Sequence, residues 1–375
     1  MTNKNSSVGM VSNIKDQFTH RWFEVAYSGG HVRQNVDIIT PNGSGPFKLV
    51  VLVHGGGGAL GSSRVCETMP YSNDFFYRVV ARGYACANLN YRLANVVREM
   101  VAPGTGHLHP ASKNDLLACI SYLRTNAATY DIDPDNVVIA GFSHGGQMVL
   151  LAAADLATGN DWLKVGIAAS PGTDNRLTVP PPLAGCPPET MTYIEYFQSM
   201  TLGQRTIANQ VGCWNYTGTG CPNPNFTHDE EILQMQNASP VVMAADQTQC
   251  AVRLYVSGAE LVSALNIEQE AAALKAVPIE YEVFVNGELA AAHQAVYDAA
   301  GIDYTENGTG IRTDHADYPG IADVWLDEID YFMAHQIVRI ERITNPGQIR
   351  TPSVLQVLSM PLISRPAQAR TPTIV

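Results

Sequence analysis

The feature that most constrains this chain is the stretch VVIAGFSHGGQMVLLAAA, from Val137 to Ala154. Its β-branched start, Val137 to Ile139, is typical of a strand buried on both faces, and the run from Gly146 to Leu156 is rich in Met, Leu and Ala and predicts a buried helix. Between them lies Gly141-Phe142-Ser143-His144-Gly145. Because glycines let a strand and a helix approach closely, we predict a sharp turn with Ser143 at its tip.

The turn sequence is a G-x-S-x-G, the nucleophile-elbow pattern that holds a serine in a strained conformation with its hydroxyl exposed. In a chain with 31 glycines the pattern also arises by chance, so an ordinary strand-to-helix turn is the alternative. The context favours the elbow, since an earlier apolar strand, Val51 to Val53, runs into the glycine loop His54 to Gly58. Such a loop can present backbone N–H groups to a developing oxyanion. Ser143 is therefore the candidate nucleophile.

Strand and helix patterns alternate along most of the chain, which predicts an α/β fold with a mostly parallel central sheet covered by helices on both faces. An early hairpin precedes the alternation, with strands at Trp22–Ser28 and Val32–Thr40. The later strands are expected at Phe47–Val53, Tyr84–Tyr91, Val137–Ile139, Lys164–Ala169, Ala251–Ser257 and Ile279–Val285. The helices are expected at Asp74–Arg82, Lys113–Tyr130, Gly146–Leu156, Asn266–Lys275 and Pro319–Ile340.

The pattern fails between residues 174 and 247, where prolines, cysteines and scattered aromatic residues replace regular periodicity. Long irregular segments inside a domain are usually functional, so we interpret this one as a cap inserted over the site. The prediction is one domain over residues 18–340 with the cap at 174–247. Residues 1–17 and 345–375 are expected to be flexible or extended tails.

Composition limits the classes of partner. Hydrophobic residues make up 46% of the chain and charged residues 15%, which is enough for a large core. The formal net charge of −12 disfavours nucleic acid and anionic membrane as partners. No apolar run approaches the roughly 20 residues of a membrane-spanning helix, so no membrane span is expected.

The chain has seven cysteines, and they divide into two groups. Three lie in segments predicted to be core, whereas Cys186, Cys213, Cys221 and Cys250 lie in or beside the irregular segment. Four such cysteines can form two disulfides, which would indicate an extracellular or periplasmic location. No signal peptide is visible before Gln17, because this stretch lacks an apolar region.

From Phe47 to His335 the chain resembles the carboxylesterase branch of the α/β-hydrolases, near the hormone-sensitive-lipase-like and the feruloyl and acetyl-xylan esterase groups. The resemblance rests on the HGGG motif at His54–Gly57, on the sequence Asn90–Leu93 and on Asp115. It implies a Ser-His-acid triad. It also implies that the N–H groups of Gly56, Gly57 and His144 bind the oxyanion.

The triad needs a histidine, because a serine hydroxyl is a poor nucleophile until an imidazole takes its proton. In the family this histidine follows the last strand. His293 lies a short loop after the strand Ile279–Val285 and is the first candidate. A surface histidine is the alternative interpretation of His293, and His315, before the closing helix, is the second candidate.

The acid is less well defined. Relatives end the strand matching Ala251–Ser257 with H-G-x-x-D, but here Leu261 occupies the aspartate position. Glu260, one residue earlier, is the first candidate, since glutamate is an accepted acid in this fold. Asp174 after the preceding strand is an alternative, and Glu288 paired with His315 is another. Loss of the acid is a further possibility.

No metal and no cofactor are expected. His54 is interpreted as a brace of the glycine loop, and His107 and His109 lack neighbouring ligands. The glycine loop lacks the spacing of dinucleotide or phosphate sites.

The expected function is that of a serine carboxylic-ester hydrolase that acts through an acyl-enzyme on an uncharged or moderately hydrophobic ester. Its partner would be a small-molecule ester, and the sequence leaves the oligomeric state open. A binding protein with a weak or silent site on the same scaffold is the alternative, because fold alone does not determine function.

Overall fold

The computed structural model of this protein describes residues 18–58, 61–63, 73–94, 107–156, 161–173, 228–244, 250–258, 264–277, 279–311 and 321–334. Within these ranges nine strands form one sheet. They are β1 (Phe18–Ala26), β2 (Asn35–Pro41), β3 (Phe47–Val53), β4 (Ala85–Leu89), β5 (Ile132–Phe142), β6 (Leu163–Ala169), β7 (Ala251–Ser257), β8 (Tyr281–Glu288) and β9 (Thr305–Ile311).

The strand order is β1-β2-β4-β3-β5-β6-β7-β8-β9. β1 with β2 and β2 with β4 are antiparallel, and all later pairs are parallel. The prediction of a mostly parallel α/β sheet is thereby confirmed. Val53 of β3 pairs with Leu89 of β4 and with Gly141 of β5. The loops that follow these three strands therefore emerge at one edge of the sheet.

Helices lie between the strands along the described part of the chain. They are α1 (Asn73–Ala81), α2 (Ala111–Thr125), α3 (His144–Asp155), α4 (His228–Asn237), α5 (Pro240–Met243), α6 (Ala264–Lys275), α7 (Ala291–Ala300) and α8 (Ile321–Ala334), with a short 3-10 helix at Ala127–Thr129.

Both faces of the central strands are buried. Neighbouring residues of one strand point to opposite faces, and each set packs against helices. On one face α2 and α3 pack on β3 and β5 through an apolar cluster that includes Val51, Ile139, Leu116 and Val149. On the other face α1 and α8 pack on the alternate positions of the same strands. That second cluster includes Val50, Val138, Phe76, Ile329 and Phe332. A third cluster joins α6 and α7 to β7 and β8 through Ile267, Tyr297, Leu254 and Val285.

The region after β8 differs from the sequence-based expectation. A loop was expected there, but the chain forms helix α7 and strand β9, which pairs in parallel with β8. Almost every β9 residue is exposed, so this strand lacks the apolar alternation by which strands are recognised. The predicted closing helix is confirmed at Ile321–Ala334.

The predicted cap at 174–247 is described only over residues 228–244, which hold α4 and α5. The rest of the cap, and the predicted tails at 1–17 and 345–375, lie outside the described residues. The boundaries of the cap therefore stay a prediction. Among the residues that the structure describes, no helix has the length and apolar character needed to cross a membrane.

The prediction that four cysteines pair in disulfides is wrong at Cys250, which carries a buried thiol. Cys250 directly precedes β7 and belongs to the apolar cluster beneath α2 and α3. It acts there as a small hydrophobic side chain, as buried cysteine commonly does. Cys186, Cys213 and Cys221 lie outside the described residues, and the inferred extracellular or periplasmic location loses the support of the fourth cysteine.

Candidate active site

The sharp turn predicted at Ser143 is present. β5 ends at Phe142, α3 begins at His144, and Ser143 between them has φ 54° and ψ −124°. Side chains other than glycine rarely adopt a positive φ, and such strain is typical of functional sites. The Ser143 N–H donates to the Ala169 carbonyl at 2.8 Å, which ties the turn to the end of β6. Ser143 is half-buried, and its role as nucleophile stays a prediction.

The flanking glycines are required by packing. A Cβ atom on Gly145 would lie 2.2 Å from the Val53 carbonyl oxygen, and one on Gly141 would lie 2.5 Å from the Gly145 carbonyl oxygen. Both contacts are with backbone, which cannot move aside as a flexible side chain can. Helix α3 therefore begins against the end of β3, and its first turn lies as close to β5 as the glycine pattern predicts.

The glycine loop starts directly after β3 and leans on the elbow. Gly56, Gly57 and Gly58 all have positive φ, at 113°, 60° and 74°. A Cβ on Gly55 would lie 2.8 Å from the Phe142 ring. Gly56 is exposed and Gly57 is half-buried, so the loop presents backbone at the sheet edge where Ser143 lies. This placement is compatible with the predicted oxyanion role of Gly56, Gly57 and His144, which stays a prediction.

His54 sits beneath the glycine loop, fully buried. Its ring stacks on Tyr91 with centroids 4.2 Å apart, and its Nδ1 lies 2.7 Å from the Gly55 carbonyl oxygen. The Tyr91 hydroxyl donates to the His54 carbonyl at 2.9 Å. Burial lowers the pKa of His54 to about 3, so the ring is neutral. These contacts support the interpretation of His54 as a brace.

The His144 side chain forms a second buried support. Its Nε2 lies 3.2 Å from the Ser112 hydroxyl of α2, and its Nδ1 lies 3.4 Å from the Gln147 amide oxygen. The Gln147 amide donates to the Ala238 carbonyl at 2.6 Å, which connects α3 to the segment between α4 and α5. Burial lowers the pKa of His144 to about 4. Sequence reasoning missed these contacts, because nothing local signals which polar side chains meet across the fold.

Asp115, singled out in the sequence, is a buried structural anion. Its carboxylate accepts two hydrogen bonds from the Arg92 guanidinium, with Nη2–Oδ1 at 2.7 Å, and one from the Arg92 backbone N–H at 2.8 Å. The Gln34 amide donates to it at 2.8 Å. The pair fixes the chain that follows β4 to helix α2.

The sequence predicted a loop after β8. His293 lies instead in the first turn of α7. It is half-buried, and its backbone N–H donates to the Ala290 carbonyl at 2.8 Å. Within the described ranges no hydrogen bond joins its ring to Ser143 or to a carboxylate. Its proposed role as base therefore rests on position after β8.

The ends of β7 and β8 lie against each other. The Ala290 N–H donates to the Gly258 carbonyl at 3.1 Å, and a Cβ on Gly258 would overlap the Glu288 carbonyl oxygen. Two residues after Gly258 comes Glu260, which lies outside the described residues together with Asp174 and His315. Glu288 is described and is exposed. The identity of the base and of the acid therefore stays a prediction.

No group of three or more His, Cys, Asp or Glu side chains suited to a metal ion occurs among the described residues. His31 and His107 contact each other edge to face, with ring centroids 4.8 Å apart.

Residues 36–166 match the model of the BD-FAE family, an α/β-hydrolase esterase family. Comparison with curated proteins finds none that matches this chain. Solved structures match over most of the chain.

A carbohydrate esterase from gut microbiota is 19% identical, with a TM-score of 0.52 over 85% of this chain and 97% of that one. Esterase B from Lactobacillus rhamnosis is 14% identical, with a TM-score of 0.52 over 88% of this chain and 91% of that one. A bacterial heroin esterase is 19% identical, with a TM-score of 0.52 over 88% of this chain and 90% of that one.

At these identities the solved structures establish the fold, and the family match adds the general chemistry. Both agree with the elbow at Ser143 and the glycine loop beside it. The chain has the α/β-hydrolase fold, and its residues 36–166 are similar to the BD-FAE family of esterases.

Proposed function

We propose that this protein is a serine carboxylic-ester hydrolase that forms an acyl-enzyme on Ser143. The observation that carries the proposal is the backbone of Ser143, held at φ 54° between β5 and α3 with the glycine loop packed against the elbow. A strained serine at the tip of such a turn has its hydroxyl available for attack on a carbonyl carbon. The substrate is proposed to be an uncharged or moderately hydrophobic ester.

In the proposed mechanism the Ser143 hydroxyl attacks the ester carbonyl while His293 takes its proton. The tetrahedral oxyanion accepts hydrogen bonds from the N–H groups of Gly56, Gly57 and His144. The imidazolium then returns the proton to the leaving alcohol, and water attacks the acyl-enzyme by the same route in reverse.

The orienting acid is proposed to be Glu260, because it follows β7 and because the end of β7 contacts the start of α7 through the Gly258 to Ala290 hydrogen bond. Asp174 and Glu288 are the alternative acids, and His315 is the alternative base.

Replacing the proposed nucleophile tests the function. Ser143→Ala is expected to lower kcat for a short-chain p-nitrophenyl ester by several orders of magnitude, as loss of a triad nucleophile does. The melting temperature should hold or rise, since alanine removes no core volume. Steady-state kinetics and thermal melting measure both quantities.

Ser170 offers a matched control, because it also has a positive φ, 45°, and directly follows the neighbouring strand β6. Ser170→Ala should retain turnover. Equal activity of wild type and Ser143→Ala would contradict the proposal, and a wild type without turnover would favour the silent binding protein.

A further inference from the structure

Arg33 lies in the connection between β1 and β2, far in sequence from the elbow, yet its guanidinium reaches the chain that follows the glycine loop. Its Nε donates to the Tyr91 carbonyl at 2.9 Å, and its Nη2 donates to the Gly61 carbonyl at 2.8 Å. One planar group therefore links the chain after β4 to the chain after the glycine loop. The guanidinium can do this because its N–H donors project in fixed directions.

Tyr91 and Gly61, the residues that carry these two carbonyls, flank His54, the first residue of the glycine loop. Tyr91 stacks on the His54 ring and donates its hydroxyl to the His54 carbonyl. On the other side, a Cβ on Gly61 would lie 2.5 Å from His54 Nδ1. By holding Tyr91 and Gly61 together, Arg33 keeps the residues on both sides of His54 in place.

A second set of contacts holds the chain just beyond Gly61. The Ser63 N–H donates to the Asn90 side-chain oxygen at 2.6 Å, and the Ser63 hydroxyl donates to Asp37 Oδ2 at 3.0 Å. The Asn88 amide donates to the Ser63 carbonyl at 2.7 Å. These neutral and anionic partners fix Ser63 in place. Nearer to the glycine loop the Ala94 N–H donates to the Gly58 carbonyl at 2.8 Å, and Arg33 adds a bond to the Gly61 carbonyl between these two points.

Arg33 also differs from the other half-buried or buried arginines in its charge balance. Arg92 pairs with Asp115 and Arg253 pairs with Glu328, but among the described residues Arg33 contacts no carboxylate. Its two side-chain partners are carbonyl oxygens. Burial first, and then the positive charge of Arg33, lower the pKa of His54, the first residue of the loop.

We propose, building on the proposed esterase function, that Arg33 is a positioning residue of the oxyanion loop, and that its positive charge stabilises the anion that forms there. An oxyanion hole acts only when its donors are aimed beforehand at the position of the developing charge. A cation behind these donors lowers the energy of the anionic transition state more than that of the neutral ester. Loss of the Arg33 charge should therefore lower kcat and change KM little.

The experiment measures kcat and KM of wild type, Arg33→Gln and Arg33→Lys on an ester and on its thionoester, in which sulfur replaces the carbonyl oxygen. Sulfur accepts hydrogen bonds poorly, so the thionoester gains less from the oxyanion donors. Arg33→Gln is expected to lower kcat for the ester about tenfold or more with KM changed less than about twofold, given the 10²–10³ lost with one direct donor. The thionoester should lose less, and Arg33→Lys should recover part of the loss.

Arg124→Gln is the matched control. Arg124 is also half-buried and donates to a backbone carbonyl, that of Pro134, at 2.8 Å, but at the opposite end of β5 from Ser143. The Arg124→Gln variant should therefore keep the wild-type ratio of ester turnover to thionoester turnover.

Three outcomes are distinguishable. A smaller ester-to-thionoester ratio in Arg33→Gln supports the proposal. Equal losses on both substrates, or a ratio that also falls in Arg124→Gln, would show that Arg33 is only structural and overturn it. A wild type that turns over neither substrate overturns the esterase function itself, and the role of Arg33 with it.

Discussion

At the scale of single residues, the charge state of four buried groups sets how the fold responds to pH. Burial lowers the pKa of His54 and His109 to about 3 and that of His144 to about 4. Glu270 of α6 is buried, its Oε2 has no hydrogen-bond partner among the residues that the structure describes, and burial raises its pKa to about 8. All four are therefore neutral in the folded protein near pH 6, although in the unfolded chain the histidines titrate near 6.5 and the glutamate near 4.5.

These shifts predict a stability maximum near neutral pH. As pH falls below about 6.5 the unfolded chain binds protons at the histidines that the folded chain does not, so stability falls. As pH rises from about 4.5 towards 8 the unfolded chain releases the glutamate proton that the folded chain keeps, so stability also falls there. Below pH 6.5 the three histidines outweigh the one glutamate.

Glu270→Gln should remove the loss of stability between about pH 6.5 and 8, because glutamine stays neutral at every pH. Thermal melting from pH 5 to pH 9 measures the effect. Glu268→Gln, on the same helix and half-buried, is the control and should change the pH profile less. If Glu270→Gln lost as much stability as wild type between about pH 6.5 and 8, the raised pKa of Glu270 would not be its cause.

At the scale of elements, the closing helix α8 combines an apolar face with a buried ion pair. Trp325, Ile329 and Phe332 face the sheet, as their spacing predicts. Glu328 of the same helix accepts a hydrogen bond from Arg253 of β7 at 2.7 Å. Arg253 is almost fully buried, with its guanidinium 4.6 Å from the Phe332 ring centroid.

Removing one member of a buried ion pair costs about 3–5 kcal/mol when the remaining charge is left without a partner. Arg253 keeps Glu280 and Glu282 when Glu328 is removed, so the loss is expected at the lower end of that range. Glu328→Ala is therefore expected to lower the free energy of unfolding by an amount in that range, measured by urea denaturation. Glu280→Ala removes a second carboxylate from the same Arg253, but its side chain is 51% exposed, and it should cost about 1 kcal/mol or less. Equal losses in the two variants would contradict this difference.

The elements also show what sequence periodicity can and cannot predict. β3, β5 and α3 are predicted well, because an apolar run or a glycine pattern is local to each. β9 has almost no buried side chains, so only its pairing with β8 defines it. The contacts of Arg33, His144 and Arg253 depend on which strands become neighbours, and no single stretch of sequence contains that information.

At the scale of the whole molecule, the sheet brings candidate site residues to one edge. The elbow, the glycine loop and the chain after β4 meet there because β3, β4 and β5 end in register. The sequence predicted this part of the site, since both motifs directly follow buried strands. It left the base and the acid open, because the segments that would carry them follow β6, β7, β8 and β9 and have no comparable motif.

The central claim is that Ser143 is an activated nucleophile, and labelling with a fluorophosphonate probe tests it most directly. The probe reacts only with a serine whose proton is taken by a base and whose oxyanion is stabilised. We predict one adduct per chain by intact mass, located on the peptide that contains Ser143, and none in Ser143→Ala. Absence of an adduct in folded wild type, or an adduct on another serine, would contradict the account.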